Sequence, residues 1–248
     1  MAYLFNTILY QPILNLLVLL YNFLPGHDIG LAIIILTILI RLLLYPLTIQ
    51  SVKSQKIMRE LQPKLDELKK KYKNDKEKLA KATLELYRRE KISPFSSCLP
   101  LLIQLPFLFA VFRVFRYGLV SKSLENLYPF IHNPGSLNPI SLGIFNLSKP
   151  VPLFALIAGL AQYWQSKMLY HQMPPKEVAK EKEARDESMA AMMNKQMLYM
   201  MPLFTVFIGL TLPGGLTLYW LVTTFFTIAQ QYYFFRKDKK KNNESSSK

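Results

Sequence analysis

The chain holds 248 residues with a net charge of +15, and 51% of them are hydrophobic. Mean hydropathy is nevertheless only +0.14, so very apolar blocks alternate with very polar ones. The single cysteine, Cys98, excludes an intrachain disulfide framework and a cysteine-based metal cluster, and the basic residues lie in blocks between apolar runs, a pattern of membrane topology and anionic lipid surface rather than of a specific nucleic-acid partner.

Residues 1–28 read as an N-terminal extracytoplasmic amphipathic helix. Polar Asn6, Gln11, Asn15 and Asn22 interrupt Leu, Ile and Tyr, and Pro12 breaks the run, which favours an interfacial over a spanning position. Met1–Leu20 contain no Lys or Arg, and no A-x-A-like site follows, so no cleavable signal is expected. Pro25-Gly26-His27-Asp28 is a turn, from which Asp28 or His27 can cap the next helix.

The first span is expected over about 29–48, and it contains an arginine. At 1.5 Å of rise per residue, Arg41 lies roughly 16 Å along the axis from Gly30, near the middle of a hydrocarbon layer about 30 Å thick. A charge there costs roughly 2.5–3.5 kcal/mol on insertion scales, so it faces a polar cavity or a partner rather than lipid.

Residues 50–93 are different material, with fourteen Lys/Arg and seven Asp/Glu. Leu61, Leu65, Leu68 and Tyr72 repeat at a/d spacing, as do Leu79, Ala82 and Leu86. Asn74-Asp75-Lys76-Glu77 supplies an N-cap with Glu three residues on, a capping box, and Pro63 should begin a helical turn or kink the first arm. The reading is a cytoplasmic hairpin of two antiparallel helices. Its plain role is a solvated face on anionic headgroups; its functional role is a docking element for a ribosome or targeting factor, shared with the basic tail.

A second span is expected over 95–118, with Gln104 inside it and Arg113 and Arg116 snorkelling at its end. Leu119–Val151 is a Pro/Asn/Ser-rich loop. A third span covers 152–169, with Gln162, Trp164 and Gln165 near its far end. Tyr170–Lys195 is a charged loop. A fourth span covers 196–212, Pro213-Gly214-Gly215 turns, and a fifth covers 216–235. Arg236–Lys248 is read as a basic disordered tail. Alternation puts the hairpin, the Tyr170–Lys195 loop and the tail, with twenty-five Lys/Arg, on one side, against two on the other. The positive-inside rule makes the first side cytoplasmic, with the N-terminus outside and the C-terminus inside.

No Asp or Glu occurs in the five expected spans. Arg41 therefore has no intramembrane carboxylate, and water or polar side chains must solvate it. The plain alternative is an arginine that bonds helix-end carbonyls or a buried glutamine and locks the bundle. Candidates to line a hydrated groove with it are Thr37, one turn away on the same face, Gln104, Gln162, Tyr219, Trp220, Thr223 and Thr224; each alone reads equally as interhelical glue. The missing acids count against a proton-coupled pump, and the absence of inverted repeats against many transporters. His27, His132 and His171 lie at or outside span ends, which counts against an intramembrane serine protease. Cys98 reads as a small buried hydrophobe. No phosphate loop, dinucleotide fingerprint or zinc spacing occurs, so no enzyme, cofactor or metal is expected. Met189, Met193, Met197 and Met201, with Met192 and Met200 beside them, are core filler or an adaptable apolar surface for varied clients.

Several blocks together resemble the YidC family of membrane protein insertases. "ILTILIRLLLYPL" around Thr37 and Arg41 resembles its first core span, and "KSQKIMRELQPKL" the start of its cytoplasmic hairpin. "CLPLLIQLPFLFA" is similar to its second span and "AQYWQSKM" to the end of the third. "MLYMMPLFTVFIGLTLPGGLTLYWLVTTFFTIAQQ" resembles its final helical hairpin. Thr223-Thr224 stand where the family often has Ser-Asn, which keeps the polarity. The resemblance is to the short form without a large extracytoplasmic domain. It implies an all-α polytopic protein of the bacterial plasma membrane, five transmembrane helices around a hydrophilic groove open to the cytoplasm and lipid and closed outside. It further implies that Arg41 draws in the polar, often acidic, tail of a nascent membrane protein without nucleotide hydrolysis. The lipid bilayer and a Sec-type channel are the other partners it suggests. The rival readings are a small-solute transporter or channel and a purely structural assembly chaperone.

Overall fold

Asp28 starts the helix that carries Arg41. Its carboxylate accepts from the N–H groups of Gly30 and Leu31 at 2.7 and 3.0 Å, satisfying two donors that a helix start leaves orphaned. Gly26 just before it takes a positive φ of 75°, which glycine adopts without strain. The computed structural model describes residues 2–73, 75–90, 99–115, 124, 127–170 and 198–246.

The order is α1 (Ala2–Phe5), a π-helical turn (Asn6–Tyr10), α2 (Gln11–Phe23), a short 3-10 turn (Pro25–His27), α3 (Ile29–Leu43), α4 (Tyr45–Glu60), α5 (Gln62–Lys71), α6 (Lys76–Arg89) and α7 (Leu99–Arg113). A small hairpin of β1 (Ile140–Ser141) and β2 (Phe145–Asn146) and then α8 (Pro152–Tyr170) follow. The chain ends with α9 (Leu198–Gly209) and α10 (Gly214–Ser246). The protein is mostly helical, and each of the five expected spans overlaps one of α3, α7, α8, α9 and α10.

α10 packs along both α8 and α3, and α3 packs on α2. One large apolar cluster joins Leu14, Leu17 and Val18 of α2, Ile33 and Leu36 of α3, Ala110 and Val111 of α7, and Tyr219 of α10. On the other side of α10, Ala158 and Ala161 of α8 meet Leu221. α8 and α9 approach closely through glycine. A Cβ on Gly209 would lie 2.8 Å from the Cβ of Ala155, and one on Gly159 would lie 2.3 Å from a methyl of Val206. Small residues at such crossings let backbones come close enough for van der Waals packing to hold the two helices together.

The structure differs from expectation in four places. The helix of Arg41 does not run straight to 48: it breaks at Leu44, and the following segment turns by 65°. Pro46 explains this, because it lacks an N–H and its ring crowds the carbonyl four residues back, so the chain restarts as a new helix at Tyr45 with Pro46 in its first turn. Second, the cap of α6 is Asp75, which accepts from Lys78 N–H at 3.0 Å. Glu77 then falls too early to reach back as in a capping box and pairs with Lys81 at 2.7 Å. Third, α10 continues through 236–246 as helix, in a stretch expected to be disordered; it has no Pro or Gly to stop it and is rich in helix-tolerant lysine. The fourth is the loop before α8, which is folded and is described with the site. Pro63 behaves as expected, in the first turn of α5, and a 2.8 Å ion pair from Lys64 to Glu90 joins the two arms of the hairpin.

Tyr3–Phe23 is a helix long and apolar enough to cross a membrane, and α3 with the start of α4 passes the same test as a bent pair. Residues 171–197, which hold most of the methionine cluster, and Cys98 and Arg116 lie outside the described residues. Met200 and Met201 are exposed on α9.

Candidate functional site: the buried arginine of α3

Arg41 sits in the last turn of α3 with 7% of its surface exposed. Its Nε is buried with no hydrogen-bond partner among the described residues. A buried unpaired donor on a cation is costly, and native proteins keep one where water or a ligand can reach it. Across from it lies Tyr219 of α10, 1% exposed and near enough for the arginine charge to act on it. The Tyr219 hydroxyl accepts a bond from Nε2 of Gln104 on α7. Three helices thus supply the polar core: a cation from α3, a phenol from α10 and an amide from α7.

The other expected residues are distributed around this centre. Thr37, fully buried one turn before Arg41, gives its hydroxyl to the carbonyl of Ile33 at 2.6 Å. Thr224 bonds the carbonyl of Trp220 at 2.9 Å in the same fashion. Both hydroxyls donate to their own helices and keep only their acceptor lone pairs for other partners. Thr223 is buried one turn along from Tyr219, and Trp220 is partly exposed. Gln162 is half-buried on α8, and among the described residues no hydrogen bond joins it to Arg41, Tyr219 or Gln104. Sequence reading missed Gln231, 1% exposed on α10 with an unpartnered Oε1; a glutamine at helical spacing from Thr223 and Thr224 was the available signal. It also missed Thr48, whose Oγ1 accepts from Nε2 of Gln230 at 3.2 Å and ties α4 to α10.

One end of this centre is covered by the segment 127–151. Asn133, Asn138 and Asn146 each accept from the N–H two residues on, forming Asx turns that give a Pro/Asn/Ser-rich stretch definite shape. Leu142 and Gly143 take positive φ of 51° and 71° at the centre of a turn closed by the Ile144 N–H on the Ser141 carbonyl at 3.1 Å, within a three-residue hairpin loop. This segment is hydrogen-bonded to three helices. Asn15 of α2 accepts from Tyr128 N–H at 2.7 Å, and the Tyr21 hydroxyl accepts from Asn138 N–H at 3.1 Å. Asp28 at the start of α3 accepts from the Ser141 hydroxyl at 2.7 Å and Leu142 N–H at 2.5 Å. The N–H groups of Gly214 and Gly215 opening α10 donate to Lys149 and Leu147 carbonyls at 2.8 and 3.0 Å. Burial raises the Asp28 pKa, but the four donated hydrogen bonds outweigh it and hold the carboxyl below its ordinary value.

At the opposite end, beyond the bend, a cavity of about 340 Å³ opens between α4 and α10, lined by Tyr45, Val52, Lys53, Gln230 and Tyr233 among others. Arg41 does not line it.

Residues 19–242 match the family model of the 60Kd inner membrane protein. The membrane protein insertase YidC of Geobacter metallireducens is 34% identical over 220 residues, 88% of this chain and 35% of that protein. The membrane protein insertase YidC of Fusobacterium nucleatum is 35% identical over 203 residues, 81% of this chain and 83% of that protein. The chain thus spans about a third of the length of the Geobacter relative and most of the Fusobacterium one.

Proposed function

The chain belongs to the 60Kd inner membrane protein family, the YidC insertases, and on that premise we propose that it inserts and helps fold newly made integral membrane proteins. α3, α7, α8, α9 and α10 are the five spans, with the N-terminus outside and the hairpin of α4–α6 and the C-terminus in the cytoplasm. The polar tail of a nascent client enters from the cytoplasmic side and is drawn toward Arg41. Its apolar segment leaves sideways into lipid. The gain is a shortened path: the tail meets water and a fixed positive charge partway across, so less of its desolvation cost is faced at once. Client burial and, for acidic tails, the membrane potential drive the step, and no nucleotide is used.

The observation that carries this reading is Arg41, buried with an unpartnered Nε in a set of helical segments without a single Asp or Glu up to Phe235. A structural ion pair would have brought its carboxylate with it. The three-helix anchorage of the segment 127–151 supports an outer end that stays shut. The bonds from α2 to that same segment, at Asn15, Tyr21 and Asn22, support an α2 that lies along the outer face rather than apart from it. Arg113 stacks over the ring of Tyr10 at 4.9 Å, which suits a cation at headgroup level.

The test is insertion of a single-span client with an acidic translocated tail into vesicles holding the purified protein. Arg41→Ala should lower the inserted fraction by about tenfold, the loss of an interaction of ~1.4 kcal/mol, and Arg41→Lys should retain most of it. Unchanged insertion with Ala at 41, at equal protein level, would refute the attractor.

A further inference from the structure

The cavity between α4 and α10 lies where the surface changes character. Leu43 and Leu47, just before and after the bend, are exposed and apolar, whereas Lys53, Lys56 and Arg59 follow within four turns. That switch marks the boundary between hydrocarbon and headgroups. The cavity wall has both materials. Val52 and Phe234 supply apolar surface, and Tyr45, Tyr233, Gln230 and Lys53 supply donors and a cation. Lys56, one turn on, is paired with Glu60 at 3.6 Å, while Lys53 has no carboxylate partner among the described residues. Behind the cavity the Gln230–Thr48 bond fixes α10 against the first turn of α4. The opening is a notch with one interhelical hydrogen bond at its wall.

We propose that this notch binds one anionic phospholipid from the inner leaflet. The phosphate lies against Lys53 with the Tyr45 and Tyr233 hydroxyls as further donors, and the acyl chains run back over Val52 and Phe234 onto the exposed Leu43 and Leu47. The lipid bridges α4 and α10 and so steadies the bend below Arg41. Lysine suits the role as a point charge on a flexible stem whose methylenes follow apolar surface. The inference rests on the proposed placement of the bend at the inner headgroups, which sets Arg41, three residues before the bend, nearer the inner face than the mid-layer depth expected of a straight span.

The experiment uses the full chain in nanodiscs of phosphatidylcholine doped with phosphatidylglycerol, released into a mass spectrometer with its retained lipids. Wild type should hold one phosphatidylglycerol in preference to phosphatidylcholine. Lys53→Gln should weaken that retention about fivefold, as expected for ~1 kcal/mol per lysine near an anionic surface. Lys78→Gln, at the far tip of the hairpin, should leave it unchanged. Equal loss in both variants, or no preference in wild type, overturns the site in favour of diffuse charge attraction. A Tyr233→Phe variant, which keeps the ring and all charge, should show a smaller loss in the same direction, and none would remove the notch. Placement is read separately, by labelling Leu43→Cys in a Cys98→Ser background with a water-soluble maleimide. Free labelling there overturns the membrane placement itself, whatever the lipid result.

Discussion

Asp28 does at the start of α3 what no other described carboxylate does: it caps a helix and pins a loop with the same two oxygens. Replacing it with Ala removes a helix cap worth about 1 kcal/mol together with the bonds to Ser141 and Leu142, so we expect a loss of about 2 kcal/mol in stability, read from denaturation in detergent. The pH dependence follows from its depressed pKa. The stabilisation is complete above the unfolded carboxyl pKa of about 3.9 and disappears as pH falls through the lower folded value. Wild type should therefore lose stability more steeply than Asp28→Asn in acid below about pH 4; parallel pH curves for the two would show that the carboxylate charge is not used. Gly30 beside it is equally constrained, since a Cβ there would lie 2.0 Å from the Ser141 hydroxyl, and Gly30→Ala must displace the pinned turn. Deeper in, Tyr219→Phe keeps the ring but leaves the Gln104 amide without its acceptor. A cost of about 1–2 kcal/mol is expected, with Gln104→Leu in the same background recovering part of it, as a double-mutant cycle would report.

Among the elements, the contact between α8 and α9 is the one that a single methyl should break. A Cβ on Gly209 meets the Cα of Ala155 at 3.1 Å as well as its Cβ. Backbone cannot swing away, so Gly209→Ala must separate the helices and should lower thermal stability by about 1–3 kcal/mol. Gly159→Ala would meet a methyl of Val206 at 2.3 Å and the carbonyl oxygen of Pro202 at 3.2 Å, and should weaken the same crossing by a similar amount. Melting temperatures unchanged from wild type in both variants would mean that the crossing is looser than its geometry. The helices themselves were readable in the sequence because apolar runs bounded by Pro and Gly leave little choice. Arg41 was readable because its cost in an apolar run is independent of fold. The bend at Leu44 was not read, although Pro46 announces it, because hydropathy runs through the proline without a dip. The folded segment 127–151 was not read either. Its shape comes from Asx turns and a Leu-Gly hairpin turn, and composition alone registers those same residues as loop. The partners of Arg41 were only partly legible: threonine at the right depth says nothing of whether its hydroxyl turns inward or back to its own helix, as at Thr37 and Thr224.

At the scale of the whole molecule the two ends are unlike. The end that carries 127–151 is sealed by hydrogen bonds to α2, α3 and α10, while the other end carries the bend, the notch and the basic hairpin. Deleting 50–93 should therefore impair insertion more than deleting the chain from Lys237, since the hairpin continues directly from the helix of Arg41 and the tail does not; equal tolerance of the two deletions would remove the hairpin as a docking element. The same asymmetry separates an insertase from an assembly chaperone. If a client's polar tail reaches Arg41 from the hairpin end while synthesis continues, cysteines placed at Thr37, Gln104 and Trp220 should crosslink to ribosome-bound client chains whose first apolar segment has only just emerged. Those crosslinks should fade as the segment lengthens and moves into lipid, and they should weaken with Ala at 41. A chaperone that only receives finished spans predicts the reverse order, with contacts absent at short chain length and growing once the span is complete. A solute channel predicts neither, and would instead pass ions through vesicles in the absence of any client. The hydrogen-bonded end that carries 127–151 argues against that outcome, because a through-pore would have to part the bonds of Asp28, Gly214 and Gly215 together.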